Sequence, residues 1–167
     1  MEQRHKDTLE TDWQFAFPAY IACPKCTGCA VITKEDKSAN FYDTAHLATC
    51  SHCGYNADTK RSRAFEQDGS LLRWHNNNFP LWLKVPCAGN AICVYNPEHL
   101  LYLESFVSAK IRERKPDEKY GWSNKSMISR LPAWIKSKKN RDDVLRAIDK
   151  LWIMAKKEGL SRPVIEE

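Results

Sequence analysis

Two short cysteine motifs carry the clearest chemistry in this sequence. They are Cys23-x-x-Cys26 and Cys50-x-x-Cys53. One CxxC turn presents two thiolates from a single backbone knuckle, so two such turns supply the four soft ligands of a tetrahedral zinc ion. A glycine follows each pair (Gly28 and Gly54) and can adopt the positive φ that these turns often require. The spacing therefore predicts one structural Zn²⁺ bound by the four cysteines.

Three other interpretations of these cysteines stay open at this point. The run Cys23, Cys26 and Cys29 has the spacing of an iron–sulfur cluster with one remote ligand, although it would leave half of the second pair unused. A redox-active CxxC dithiol normally lies at a helix start in a βαβ unit, and no such unit is apparent. If the cysteines bind no metal, packing alone would have to account for the two CxxC turns.

The remaining cysteines are expected to pack rather than to bind metal. Cys29 precedes the apolar residues 30–32, so we expect it to begin a strand, with a role as fallback ligand as the alternative. Cys87 and Cys93 are separated by five residues and have no matching second pair. We expect them to be buried thiols in a β-hairpin, and a second zinc site is the alternative.

No pattern of catalytic chemistry accompanies the cysteines. The histidines lack HExxH spacing, the serines lack a GxSxG setting, and no Walker-type phosphate loop occurs. His46 lies four residues before Cys50, but a full set of four thiolates leaves no open position for a reactive water. His99 stands at the start of a predicted helix and is expected to be a surface or capping residue. We therefore predict a non-enzymatic protein, with a metalloenzyme that has His46 near an open zinc site as the alternative.

A basic segment suggests a polyanionic partner. Residues 119–141 contain seven Lys/Arg and no Asp/Glu, with Tyr120, Trp122 and Trp134 interleaved. Cations bind phosphates while aromatic rings stack on bases, so this mixture predicts a nucleic-acid contact. The alternative is a solvated helix face whose aromatic residues belong to the core. The predicted nucleic-acid contacts are Lys125, Arg130, Lys136, Lys138, Lys139 and Arg141.

An aromatic run provides a competing interpretation. Trp74, Phe79 and Trp82 lie within nine residues and either belong to the core or form an apolar patch for a protein partner. The competing function is thus a protein-partner module, such as an adaptor or an enzyme inhibitor of the immunity-protein type.

The elements that must position these residues indicate an α+β protein. Short apolar stretches between the cysteine pairs and up to residue 95 read as strands. Asn96 as N-cap with Pro97 after it begins a helix that we expect to fade over residues 112–117, and the last helix is expected to run from Asn140 to about Gly159. The predicted regions are an N-terminal arm at 1–18, a Cys₄ zinc ribbon of short antiparallel strands at 19–65, a central β-hairpin region at 66–96, and basic C-terminal helices at 97–167.

The stretches CPKC and CSHCGY resemble the zinc ribbon found in general transcription factors, RNA polymerase subunits and replication-restart helicases. The resemblance covers residues 19–60 and implies two β-hairpin knuckles on one structural zinc, without implying an activity. The segments FPLWLKVPCAGNAICVYNPEHLLYLESFV and RLPAWIKSKKNR resemble uncharacterised bacterial proteins described as containing a TFIIB-type zinc ribbon, which implies a bacterial source.

Composition narrows the setting. The chain has 167 residues with a formal net charge of +5, and it contains no apolar run near the roughly 20 residues of a membrane helix. The polar N-terminus resembles neither a secretory signal nor a transit peptide. Seven cysteines would leave one outside any disulfide framework. We therefore expect a cytoplasmic protein whose partner is nucleic acid or protein, with no membrane and no small-molecule substrate.

Overall fold

The computed structural model describes residues 4–34, 46–59, 71–74, 77–113, 116, 119, 121–122 and 124–164. Within them it confirms the α+β class, with antiparallel sheets in the N-terminal half and a long C-terminal helix.

A four-stranded antiparallel sheet carries the cysteine motifs. Its strands, in order across the sheet, are β2 (Ala19–Ala22), β3 (Cys29–Lys34), β4 (His46–Thr49) and β5 (Asn56–Thr59). Along β2 the buried Ala19 and Ile21 alternate with partly exposed residues, and their register partners on β3, Ile32 and Ala30, are also buried, so one face of the sheet packs into the core. Cys29 begins β3 opposite Ala22, as the sequence predicts. Each CxxC motif therefore follows directly on the end of a strand.

Two antiparallel hairpins follow. The first pairs β6 (Leu71–Trp74) with β7 (Asn77–Pro80), and the second pairs β8 (Lys84–Cys87) with β9 (Asn90–Cys93). Ala88 and Gly89, between β8 and β9, both have positive φ, as expected for a two-residue hairpin turn. Cys87 and Cys93 occupy opposite ends of this hairpin. The described residues contain no second cluster of metal-ligating side chains, so the structure offers no second zinc site there.

The described α-helices all lie in the C-terminal half of the chain. They are α1 (Pro97–Ser108), α2 (Met127–Arg130), α3 (Ala133–Lys136) and α4 (Arg141–Lys157). Asn96 caps α1 as predicted, because its Oδ1 accepts the N–H of His99 at 2.9 Å. The apolar face of α4, with Val144, Ile148 and Leu151, packs against α1 and β8. Gly159 lies just beyond α4 with φ of +74°, a common way to end a helix.

The N-terminal arm pairs with the chain segment that follows α1. Strand β1 (Arg4–Lys6) pairs in parallel with β10 (Ile111–Glu113), a strand that follows α1. The sequence predicted the fading end of a helix at 112–117, whereas α1 ends at Ser108 and the chain becomes extended. The partition into four regions stays a prediction. Among the described helices, none is both long and apolar enough to cross a membrane.

Candidate metal centre

The four cysteines of the CxxC motifs converge on one point. Their Sγ atoms all lie within 4.8 Å of one another, with 3.6 Å between Cys23 and Cys53 and 3.6 Å between Cys26 and Cys50. A tetrahedral ion with Zn–S bonds of about 2.3 Å requires sulfur atoms about 3.8 Å apart. The residues present therefore fit a four-coordinate metal ion. Cys29 is outside the cluster, so the iron–sulfur interpretation that rests on it finds no support.

The two knuckles share one backbone pattern. In each, the N–H after the second cysteine donates to the carbonyl of the first cysteine at 2.9 Å (Thr27 to Cys23, and Gly54 to Cys50). The N–H of each first cysteine donates to the carbonyl five residues later at 2.8 Å. These bonds fold each CxxC segment into a tight turn, so the sheet needs only to bring two preformed turns together.

The glycines after the motifs have different roles. Gly54 has φ of +70°, as predicted, but in the first knuckle Thr27 takes this conformation with φ of +60°. The prediction was wrong for Gly28, which does not have positive φ and instead lies close to two side chains. A Cβ there would lie 3.2 Å from Cδ2 of His52 and 3.4 Å from Sγ of Cys26.

The surroundings favour thiolate at the first cysteine. Desolvation opposes the ionisation of Cys23, but N–H groups of Cys26 and Lys25 and the neighbouring thiols of Cys53 and Cys26 together lower its pKa to about 7. Cys29 behaves in the opposite way, because burial, with Glu158 and Cys50 nearby, raises its pKa to about 12. A thiolate is the form that binds metal, so the lowered pKa suits Cys23 as a ligand. The N–H of Gly28 acts in the same direction on Cys26, but burial and hydrogen bonds with the thiols of Cys53, Cys50 and Cys23 raise the pKa of Cys26 to about 12. Position in the cluster, and not pKa, therefore separates the candidate ligands from Cys29.

His52 connects the second knuckle to the C-terminal helix. Its Nε2 lies 3.3 Å from Oε2 of Glu158, just beyond the end of α4. The residue is largely exposed and does not join the cysteine cluster, as expected for a surface position of the knuckle. The side chain of His46 lies outside the described residues.

The predicted nucleic-acid contacts divide into two groups. Lys125, Arg130, Lys138 and Lys139 are exposed. Lys136 and Arg141 are half-buried and support the fold: Lys136 Nζ donates to the carbonyl of Ser129 at 3.1 Å, and Arg141 Nη2 to that of Ala109 at 2.8 Å. Nucleic-acid binding by any of these six residues stays a prediction. Trp122 is 69% exposed, whereas Trp134 packs against the core.

The predicted partner-binding aromatics do not form one exposed patch in the described residues. Phe79 is 2% exposed and belongs to the core, and Trp82 packs partly buried against it. The side chain of Trp74 is outside the described part of the chain. Binding of a protein partner at these residues stays a prediction.

His99 was placed wrongly by the sequence analysis. It is buried, its Nδ1 accepts the N–H of Tyr95 at 3.3 Å, and its ring stacks between Phe15 and Tyr95. Burial lowers its pKa to about 4, so it is neutral at physiological pH. A signal was present, since His99 stands four residues before Leu103 and therefore shares the apolar face of α1.

Comparison with known proteins identifies no relative of this chain. The chain matches no protein-family model, no curated protein and no solved structure. The cluster is compatible with a zinc ribbon, and no family match confirms that resemblance.

Proposed function

We propose that this chain is a non-enzymatic protein in which one structural zinc ion stabilises the sheet of β2 to β5. We further propose that it binds single-stranded nucleic acid through the segment that contains α2 and α3. The observation that supports the nucleic-acid part is the exposure of Trp122 within a segment of exposed cations. We call Trp122, Lys125, Arg130, Lys138 and Lys139 the basic surface.

The assignment of zinc rests on the donor set. Four thiolates at tetrahedral spacing select a soft or borderline ion, and in proteins zinc is the usual one. All four positions are filled by protein, so the ion has no open site for substrate and acts structurally. When bound, it would supply the cross-link that a small sheet with few buried side chains lacks.

The metal assignment is tested by elemental analysis of the purified chain. We expect one zinc per chain, retained in Cys29→Ser and lost in Cys50→Ser. Iron, or the absence of zinc, would contradict the assignment, as would loss of zinc in Cys29→Ser.

Two side-chain hydrogen bonds link the segments that carry the residues of the basic surface. Arg130 Nε donates to the carbonyl of Asn124 at 3.4 Å, which holds the end of α2 against the loop that carries Trp122 and Lys125. The bond from Lys136 to Ser129 places the end of α3 beside α2, and Lys138 and Lys139 follow directly. Asp142 and Asp143, in the first turn of α4, are the first acidic residues after this segment of the chain.

This composition suits a single strand better than a duplex. Cations contact phosphates without regard to sequence, and an exposed indole stacks on an unpaired base, at about 1–3 kcal/mol per base. A base inside a duplex does not offer its face to the ring.

The test is fluorescence anisotropy with labelled 20-nucleotide poly(dT), poly(U) and a 20-bp duplex at 50 to 300 mM KCl. We expect the single strands to bind more tightly than the duplex and to weaken steeply with salt. Replacing Lys125, Arg130, Lys138 and Lys139 with Gln should remove binding. The matched control replaces Lys84, Lys150, Lys156 and Lys157, four exposed lysines outside the basic surface, and changes the net charge equally.

Two results would overturn the nucleic-acid proposal. One is the absence of binding to every probe at 50 mM KCl, which would favour the protein-partner hypothesis instead. The other is equal loss of affinity in the two quadruple variants, which would show that net charge alone matters.

A further inference from the structure

A cleft with both charged and apolar side chains in its lining lies beside the paired strands β1 and β10. His5 and Arg112 are register partners in this parallel ladder, so their side chains leave the same face next to each other. The cleft has a volume of about 350 Å³, and its lining includes His5, Asp7, Arg112, Ser129 and Lys136.

Hydrogen bonds fix the tautomer of His5. The hydroxyl of Ser105 donates to the carbonyl of Tyr102 at 2.8 Å, so its oxygen must accept the 2.8 Å bond from Nδ1–H of His5. Burial lowers the pKa of His5, opposed by Asp7 and assisted by Arg112, so the ring is neutral at pH 7. Its Nε2 is therefore a lone-pair acceptor. This atom is buried, and the residue is only 5% exposed, yet it has no hydrogen-bond partner in the described structure.

Arg112 presents an unsatisfied donor to the same region. Its Nε donates to the carbonyl of Phe106 at 3.2 Å and its Nη1 to that of Lys136 at 3.1 Å, while Nη2 is buried and finds no acceptor among the residues that the structure describes. Burial, together with the charge of Arg141, lowers the pKa of Arg112. The guanidinium also lies 4.2 Å from the centroid of the Phe106 ring, but the face of a ring does not replace the hydrogen-bond acceptor that the buried Nη2 lacks, which is costly.

In the described part of the chain, the two carboxylates that line the cleft, Asp7 and Glu113, already have partners. Glu113 pairs with Arg4 at 3.1 Å. The Asp7 oxygens accept bonds from the Ser126 hydroxyl, the Tyr102 hydroxyl and the Leu9 N–H. Among the described residues, none forms a salt bridge with Arg112 or Lys136.

We propose that this cleft binds a phosphate group in its monoprotonated form. A P–OH can donate to Nε2 of His5 while an anionic oxygen of the same group accepts from Nη2 of Arg112, with Lys136 adding positive charge. Sulfate and carboxylates carry no proton near pH 7 and cannot satisfy the histidine acceptor. Because both nitrogens lie below the surface, the inner end of the cleft must open slightly on binding. The proposal does not depend on the basic surface or on nucleic-acid binding.

The experiment is isothermal titration calorimetry of the zinc-loaded full chain, dialysed free of unbound zinc, with inorganic phosphate and with sulfate at pH 7. We expect phosphate to bind at least tenfold more tightly than sulfate. Arg112→Gln should abolish phosphate binding, and Arg146→Gln, an exposed arginine on α4, should leave it unchanged. Equal affinity for the two anions, or phosphate binding that survives Arg112→Gln, would overturn the proposal.

A second measurement keeps the test independent of stability. Nitrogen NMR of His5 should report the Nδ1–H tautomer without phosphate and a shift of Nε2 when phosphate is added, and an unmoved Nε2 would contradict the proposal. In His5→Phe, checked for folding by circular dichroism, the preference for phosphate over sulfate should disappear. Displacement of phosphate by a 5′-phosphorylated dinucleotide would identify the end of a strand as the source of the group, and failure to displace it would identify free phosphate.

Discussion

The cysteine cluster and the His5–Arg112 cleft are two polar sites built in opposite ways. Each half of the cluster is a local turn with its own hydrogen bonds, and the sheet only joins two halves. The cleft has no local precursor, since its contacts join residues as far apart as Asp7 and Ser126, 119 positions along the chain. We therefore expect the cysteine cluster to depend on its metal ion, and the cleft to depend on the completed fold.

Removing the metal should have the largest effect. Structural zinc sites contribute on the order of 10 kcal/mol to folding, so chelation or Cys50→Ser should unfold β2 to β5. The elements around the cleft contain no metal ligand, and we expect α1 and α4 to keep more of their amide protection. Hydrogen exchange measured by NMR, with and without chelator, checks this difference.

Cys29→Ser is the matched control, because it changes a cysteine of the same segment that does not join the cluster. It should lower stability by no more than the usual cost of a polar group in a buried position, about 1–3 kcal/mol, and should retain the metal. Uniform loss of protection throughout the chain after chelation would show that the two regions fold as one unit.

Removing the Asp7 carboxylate tests the other side of the comparison. Asp7→Ala leaves two hydroxyl groups and one N–H without their acceptor, so we expect a loss of about 3 kcal/mol in the free energy of unfolding. Urea denaturation of the zinc-loaded chain measures it. Asp149→Ala, at an exposed position of α4, should change stability by less than about 0.5 kcal/mol. Equal effects of the two substitutions would remove Asp7 from the framework of the cleft.

The convergence of four cysteines at a spacing that fits a metal ion could be predicted from sequence, because the signal is local. The CxxC spacing contains both the ligands and the turn that orients them, and only the positive φ of Thr27 in place of Gly28 was missed. The α+β class and the beginning of α1 at Asn96 and Pro97 were equally local features, set by strand-like alternation and by a capping residue.

The cleft could not be predicted, for a physical reason. A parallel pair of three-residue strands leaves no periodic pattern, and His5 stands in a polar stretch that reads as an exposed arm. Arg112 follows α1 closely enough to be taken for its last turn. Only the pairing of chain segments distant in sequence shows that these two residues are neighbours.

Acid should weaken the fold through His99. Its pKa of about 4 in the folded chain lies below the usual 6.5, so the unfolded chain binds more protons between these values. The stability that neutral His99 contributes is present above pH 6.5 and is lost as pH falls towards 4, by about 2 kcal/mol between pH 7 and pH 5.

Urea denaturation at pH 7, 6 and 5 measures this loss, and His99→Gln separates it from protonation of the cysteine ligands. The variant should lose less stability than the native chain over this range. Parallel curves for the two proteins would assign the acid sensitivity to the cluster instead.

The smallest effect distinguishes the two knuckles from each other. Thr27 and Gly54 occupy equivalent positions with φ of +60° and +70°, but only Thr27 carries a β-branched side chain in this conformation. Thr27→Gly relieves about 1–2 kcal/mol of backbone strain and adds about 0.5–1 kcal/mol of chain entropy in the unfolded state. It also removes the exposed hydrogen bond from the Thr27 hydroxyl to the carbonyl of Cys26 at 2.6 Å, so we expect a net gain of no more than about 0.5 kcal/mol. Gly54→Ala meets no atom within 4 Å, so its cost of about 1 kcal/mol is purely conformational. Thermal unfolding of the zinc-loaded variants should show a higher midpoint temperature for Thr27→Gly and a lower one for Gly54→Ala. Shifts in the same direction would mean that the two turns differ in energy although they share a hydrogen-bond pattern.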